Sequence, residues 1–164
     1  MYQKVLLAYD GSLEGRRALR EGAKLAQLFR SEVFLLAVVE HSPLMAPDAG
    51  LTIPMGLQTA DYEAILAEGV ERLKALGFAP VSRLEMGDAG QKIAEVAEEI
   101  EASLVVVGHR PQGPLARWFG SVGSYLVKRL GCSVLVAQTE ISDAEFARLT
   151  PSRDETATGQ GVVQ

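Results

Sequence analysis

The stretch Val5-Leu6-Leu7-Ala8-Tyr9-Asp10-Gly11-Ser12 places five consecutive apolar residues directly before a short polar turn. A continuous run of this length is typical of a strand in a parallel sheet whose two faces are both covered by helices. Three further runs have the same character and one is weaker; they are Val33–Val39, Leu104–Val107, Ser133–Ala137 and, weaker, Pro80–Met86.

Helical patterns fill the four gaps between these strands. They run over Leu13–Phe29, Ala60–Leu76, a segment that begins at Asp88, and Ser121–Leu130. Asp88 is followed three positions later by Gln91, the spacing of a capping box. The stripes predicted to face the sheet include Ala18, Gly22, Leu25 and Phe29 in the first helix and Val122, Tyr125, Leu126 and Leu130 in the fourth.

The alternation of strands and helices predicts one α/β domain with an open, five-stranded parallel sheet and helices on both faces. The pattern alone does not give the strand order. A length of 164 residues suits a single domain.

Composition limits the kinds of partner. The net charge is -5 and the isoelectric point about 5.1, so nucleic acid and anionic membrane are not expected partners. We find no signal peptide or spanning segment, and the single cysteine, Cys132, excludes a disulfide framework and is expected to pack in the interior. These features predict a cytoplasmic protein.

Two segments differ from the alternating pattern. Residues 41–58 form a long connection with three prolines and two glycines, yet they carry six large apolar residues. Long structured loops are often lids or contact surfaces. We place the folded domain at residues 1–138 and a polar tail at 139–164, with Ile141–Leu149 as a candidate short helix and the remainder mobile.

In open α/β sheets, ligands bind beyond the carboxyl ends of the strands, where the strand order reverses. Asp10-Gly11-Ser12 follows the first strand. One interpretation is a turn with a helix cap, because Asp and Ser side chains accept backbone N–H bonds at helix starts. The other is a carboxylate that bonds a ribose hydroxyl or lies near a metal ion. Position alone leaves both open.

The stretch after the fourth strand, Gly108–Ser124, is rich in glycine. Gly120-Ser121 opens the fourth helix, where free N–H groups and the positive end of the helix dipole favour an anion. Arg110 and Arg117 add positive charge. A phosphate would be well solvated there; the alternative is a flexible loop with an ordinary cap.

Several other chemistries find no support in the sequence. A Gly-Lys-Ser/Thr phosphate loop, a G-x-G-x-x-G first turn and a G-x-S-x-G elbow are all absent. His41, His109 and Cys132 are too few to build an ordinary zinc site.

Taken together, these motifs resemble the universal stress protein family over Tyr2–Ala137. The resemblance is carried by the opening strand with its Asp-Gly-Ser turn, by Met86-Gly87-Asp88, and by three later segments: Leu104–His109, Gly120-Ser121-Val122 and Cys132–Val136. Ala89 stands where the family has a proline.

The resemblance implies a Rossmann-like fold of the adenine nucleotide alpha hydrolase type, with strand order 3-2-1-4-5. It also implies a homodimer formed through the fifth strand, here Val134 to Ala137.

Family members that bind ATP carry G-x2-G-x9-G-S/T. Gly108 and Gly120-Ser121 match its ends, but this chain reads G-x4-G-x6-G-S, with Pro111 in place of the second glycine and Gly113 two residues later. Proline has no N–H to donate, so the middle of the loop must differ from the family pattern.

The resemblance assigns roles to residues if ATP binds with Mg²⁺. Ala8, Val38 and Val107 would line the adenine pocket, and Asp10 would hold the ribose or lie near the metal. The phosphates would be cradled by a further set: Gly108, Gly113, Gly120, Ser121 and Val122. Arg110 could add charge at the γ-phosphate, which is an inference from its charge rather than from the motif.

Three hypotheses follow. The first is a regulatory dimer that binds ATP with little or no hydrolysis, and so not an enzyme, because no well-placed general base follows the phosphate loop. The second is a dimeric module that binds an unknown protein partner and no nucleotide, which Pro111 and the shortened loop favour. The third is an enzyme acting on another phosphate-containing small molecule, for which the sequence offers no nucleophile or base.

Overall fold

The computed structural model describes residues 1–40, 55–109, 121–142 and 144. Five strands and four helices alternate along these residues: β1 (Lys4–Ala8), α1 (Leu13–Phe29), β2 (Glu32–Val39), α2 (Met55–Ala75), β3 (Val81–Met86), α3 (Ala89–Glu99), β4 (Leu104–Gly108), α4 (Ser121–Arg129) and β5 (Ser133–Ala137). All strand pairings are parallel, and the order is β3-β2-β1-β4-β5. The predicted fold and strand order are confirmed.

Helices cover both faces of the sheet. Alternate residues of a strand point to opposite faces, so Val5 and Leu7 of β1 pack with α1 and α2. Leu6 and Ala8 pack with α3 and α4. The central strands are therefore buried on both sides, which explains their continuous apolar sequence.

Side chains cap two of the helices as the sequence predicts. Ser12 Oγ accepts a hydrogen bond from the Gly15 amide at the start of α1, at 3.0 Å. Asp88 Oδ1 accepts one from the Gln91 amide at the start of α3, at 2.9 Å. A side-chain acceptor of this kind satisfies an amide that has no partner within the helix.

Helix α2 begins at Met55, five residues before the predicted start at Ala60. Gly56 lowers the local helix propensity, but its neighbours Met55, Leu57 and Gln58 are good helix formers, and the helix continues through them.

Two aromatic residues predicted to face the sheet do not. Phe29 is 36% exposed, and its ring packs edge-on against Tyr2 with ring centroids 5.1 Å apart. Tyr125 is 38% exposed, and its ring lies over Gly90 at the start of α3. Both rings pack beside the sheet rather than on it.

Cys132 is half-buried and packs against the α3–α4 side of the core, as expected. Residues 41–54 of the long connection lie outside the described residues, as does most of the candidate helix at Ile141–Leu149 and the tail after it. Within the described ranges, no helix combines the length and apolar character needed to cross a membrane.

Candidate functional site

The carboxyl ends of β1 and β4 lie side by side at the centre of the sheet, with Leu7 paired to Val106. From β1 the chain enters α1 on one face, and from β4 it leads to α4 on the other face. The N-termini of two helices therefore flank one crevice, which is the switch point where ligands bind in open α/β sheets.

The Asp10–Ser12 turn is built from a short chain of side-chain hydrogen bonds. Asp10 Oδ1 accepts from the Ser12 amide at 3.0 Å and from Ser12 Oγ at 2.5 Å. Ser12 Oγ in turn accepts from the Gly15 amide at 3.0 Å. Gly11 has a φ of +73°, which glycine adopts without strain. The turn-and-cap interpretation of Asp10 is confirmed, and the same carboxylate stands at the edge of the crevice.

Two glycines allow close packing around the start of α1, Gly108 of β4 against the α1 backbone and Gly15 of α1 against the Asp10 side chain. A Cβ built on Gly108 would lie 2.8 Å from the Glu14 carbonyl oxygen and 3.1 Å from the Gly15 nitrogen. A Cβ built on Gly15 would lie 2.4 Å from Asp10 Oδ1. Gly108 thus has a packing role of its own, besides the phosphate contact that the resemblance implies. The sequence reasoning missed Gly15, whose only signal was a glycine in a first helical turn.

The residues predicted to line an adenine pocket come together. Ala8, Val38 and Val107 belong to one apolar cluster on the α3–α4 face, at the carboxyl ends of three neighbouring strands. Val122, in the first turn of α4, packs against the same cluster. Ala8, Val38 and Val122 are only half-buried, so the cluster presents apolar surface beside the crevice.

A polar cluster that the sequence reasoning missed borders the Asp10 turn on the α1–α2 face. The Tyr9 hydroxyl donates to Glu68 Oε2 at 2.9 Å. Glu68 Oε1 accepts from Arg16 at 3.1 Å and from Arg72 at 2.7 Å. The sequence signal was weak, because Glu68 and Arg72 read as an ordinary i,i+4 pair on an exposed helix face.

Electrostatics in this cluster favour a charged Glu68 and a neutral Tyr9. Hydrogen bonds from Arg72 and from Tyr9 hold the pKa of Glu68 below its usual range, against a smaller opposing effect of burial. Burial is the main reason that the pKa of Tyr9 is raised. The carboxylate therefore acts as an acceptor for a phenol that stays protonated at neutral pH.

His109 directly follows β4, and its amide donates to the Ala137 carbonyl at 3.2 Å. Its Nδ1 atom is buried and has no hydrogen-bond partner among the residues that the structure describes.

The remaining predicted phosphate-binding residues, Arg110, Gly113, Gly120 and the side chain of Ser121, lie outside the described residues. Within the part that is described, no three acidic, histidine or cysteine side chains cluster closely enough to hold a metal ion. A magnesium contact by Asp10 therefore stays a prediction.

The strand order defines an open, Rossmann-like α/β protein whose switch point lies between β1 and β4, the place where ligands bind in folds of this type. Residues 1–138 match the model of the universal stress protein family, and the chain belongs to that family.

Individual relatives agree with this assignment. Universal stress protein Sll1388 of Synechocystis sp. is 30% identical over 151 residues, which cover 84% of this chain and 98% of the relative. Universal stress protein MJ0531 of Methanocaldococcus jannaschii is 29% identical over 146 residues, covering 84% and 83% of the two chains. Among solved structures, a universal stress protein in complex with cAMP superimposes with a TM-score of 0.66 at 25% identity, over 85% of this chain and 99% of that one.

Proposed function

We propose that the protein is a regulatory universal stress protein that binds ATP at the carboxyl ends of β1 and β4, with little or no hydrolysis. The observation that carries this proposal is the juxtaposition of the Asp10 turn with half-buried apolar surface at the switch point. The similar fold in complex with cAMP supports an adenine nucleotide as the ligand class.

Each part of the nucleotide has a suitable partner. The adenine ring would lie on the apolar surface of Ala8, Val38 and Val107, and the ribose hydroxyls would donate to the Asp10 carboxylate. Amides in the first turn of α4, at Ser121 and Val122, would hold phosphate oxygens at the positive end of the helix. Gly108, Gly113, Gly120 and Arg110 would complete the phosphate site.

Magnesium would enter with the phosphates of ATP, and its positive charge would offset theirs. Asp10 is the carboxylate that we assign to this contact with magnesium. We expect slow hydrolysis because the groups assigned to the phosphates are backbone amides and an arginine, which bind an anion but do not activate a water molecule.

A homodimer through β5 is the second part of the proposal. β5 is an edge strand that pairs with β4 on one side. Val134, Leu135 and Val136 are half-buried on it. An exposed edge strand offers unpaired backbone groups and apolar side chains to a second copy.

Isothermal titration of ATP with Mg²⁺, of AMP and of cAMP into the protein tests the nucleotide site. Asp10→Asn keeps an oxygen acceptor for the turn but removes the charge, so we expect about a tenfold weaker Kd for ATP. Asp88→Asn is the matched control, because the Asp88 carboxylate also accepts a backbone amide hydrogen bond at a helix start, but after β3, on the far side of β2. Its Kd should equal that of the parent.

A dimeric module without nucleotide is the second candidate. It is favoured by Pro111, which has no N–H to give a phosphate. If millimolar ATP, AMP and cAMP all fail to bind, this second function replaces the first, and Asp10 is a turn residue only.

A further inference from the structure

Glu68 is a single carboxylate of α2 that joins two other elements of the fold. Its Oε2 accepts from the hydroxyl of Tyr9, which directly follows β1, and its Oε1 accepts from Arg16 in α1. Arg72 of its own helix donates twice to Oε1, at 2.7 and 3.0 Å. The Tyr9 side chain lies in the core at 2% exposure, so its hydroxyl is directed to one fixed position.

The two partners of Glu68 outside α2 border the ligand-site turn on either side. Tyr9 immediately precedes Asp10, and Arg16 immediately follows Gly15, whose amide bonds Ser12. The Arg16 amide also donates to the Ser12 carbonyl, at 2.9 Å. Glu68 therefore holds both ends of the segment from Asp10 to Gly15.

Helix α2 touches the middle of the same segment. Ile65, three residues before Glu68, lies so close to Gly11 that a Cβ built there would be 3.1 Å from Ile65 Cγ1. The turn is thus in contact with α2 at its start, its middle and its end.

We propose that Glu68 is a positioning residue for the nucleotide site: it holds the Asp10 turn in its binding conformation and couples that turn to α2. This inference rests on the proposed function for its ligand. An Asp10 carboxylate that is already in place loses less conformational freedom when the ribose binds. Glu68 would therefore strengthen nucleotide affinity without touching the nucleotide itself. Because coupling is reciprocal, a bound nucleotide should in turn restrain α2.

Glu68→Gln tests the proposal because it keeps the shape of the side chain and removes its charge. Backbone amide exchange is measured first, without nucleotide, at Ser12 and Gly15. Both amides bond to side chains of the turn. We expect exchange at these two amides to rise about three- to tenfold, while the central strands stay protected.

The second measurement is a double-mutant cycle on ATP affinity. Glu68→Gln alone should weaken the Kd by about three- to tenfold, and by less than about twofold in an Asp10→Asn background, because the effect passes through Asp10. Tyr9→Phe removes only the hydrogen bond from the Tyr9 hydroxyl to Glu68. It should also weaken the Kd for ATP, but by less than Glu68→Gln does.

Glu99→Gln is the matched control. Glu99 also joins two elements through an arginine, accepting from Arg83 of β3 at 2.7 Å, but it lies on α3, on the other face of the sheet. It should change neither the exchange of the turn nor the affinity.

Unchanged exchange at Ser12 and Gly15 would overturn the proposal, as would equal losses of affinity in the two backgrounds. A parent that binds no nucleotide would refute the proposed function instead. The exchange measurement would then decide by itself whether Glu68 holds the turn.

Discussion

Gly108 lies so close to the Glu14 carbonyl that no side chain fits between them, so the end of β4 rests directly on the first turn of α1. A Cβ at position 108 would lie 2.8 Å from both the carbon and the oxygen of that carbonyl. The same first turn carries Gly15, against which Asp10 lies. The position of the Asp10 carboxylate therefore depends on a glycine from a strand almost 100 residues later.

Gly108→Ala should destabilise the protein by about 1–3 kcal/mol, because the added methyl group meets backbone that cannot rotate away. Gly131→Ala is the control, since a Cβ there meets nothing within 4 Å. Urea unfolding measures both variants. An equal free energy of unfolding for Gly108→Ala and the parent would show that α1 can move away from β4 at little cost.

A second close contact sets the distance between α1 and the sheet. A Cβ on Gly22 would lie 2.4 Å from Leu7 Cδ2 and 3.2 Å from Val106 Cγ2. Alanine is the better helix former by about 1 kcal/mol, but here overpacking should prevail. We expect Gly22→Ala to lower the free energy of unfolding by about 1–3 kcal/mol.

Leu7→Val removes the methyl group that the new Cβ would meet. The double variant Gly22→Ala/Leu7→Val should therefore lose less unfolding free energy than the two single variants lose together, by about 0.5 kcal/mol or more. Strict additivity would mean that the strain at Gly22 is relieved elsewhere.

β1, β2 and β4 were predictable from the sequence because each is a nearly continuous apolar run that is largely buried. β3 and β5, at the two edges of the sheet, are more exposed, and β3 gave the weaker signal. β5 has the predicted bounds. β1 begins and ends one residue earlier than predicted, although the Tyr9 amide still donates to the Leu36 carbonyl as a strand residue would. The start of α2 was not predictable, because Gly56 and the apolar residues near it suit a loop and a helix equally well.

At the site, the turn at Asp10 could be predicted from its position after a strand, whereas the apolar set Ala8, Val38 and Val107 came from the family resemblance. The contacts of Glu68 could not. Its partner Tyr9 lies 59 residues away in the chain, and local spacing indicates only the pair with Arg72. Tertiary packing, rather than a local pattern, joins α2 to the turn.

The Cys132 thiol should react slowly in the folded protein. Burial raises its pKa, so less of the reactive thiolate is present at a given pH. We expect alkylation by iodoacetamide near pH 8 to be at least several-fold slower than in urea-unfolded chain, with a rate that keeps rising above the usual thiol pKa of about 8.5. Mass spectrometry of timed samples measures both rates, and equal rates would contradict the expectation.

Glu68 should make stability depend on pH in the acid range. Its pKa in the folded protein is lowered, chiefly by the hydrogen bonds from Arg72, with Tyr9 and Arg16 acting in the same direction. At acid pH the unfolded chain therefore binds a proton more readily than the folded one. The stabilisation is complete above the unfolded glutamate pKa of about 4.3 and is lost as the pH falls through the lower folded value.

Urea unfolding of the parent and of Glu68→Gln, from about pH 7 down to pH 3, measures this contribution. The parent should be the more stable of the two near neutral pH, and the difference should shrink as the pH falls below about 4.3, because a protonated glutamate resembles glutamine. Added salt should also reduce the difference, since this carboxylate is partly exposed. A difference that stays constant across this range would show that the contacts to Tyr9, Arg16 and Arg72 do not depend on the charge of Glu68.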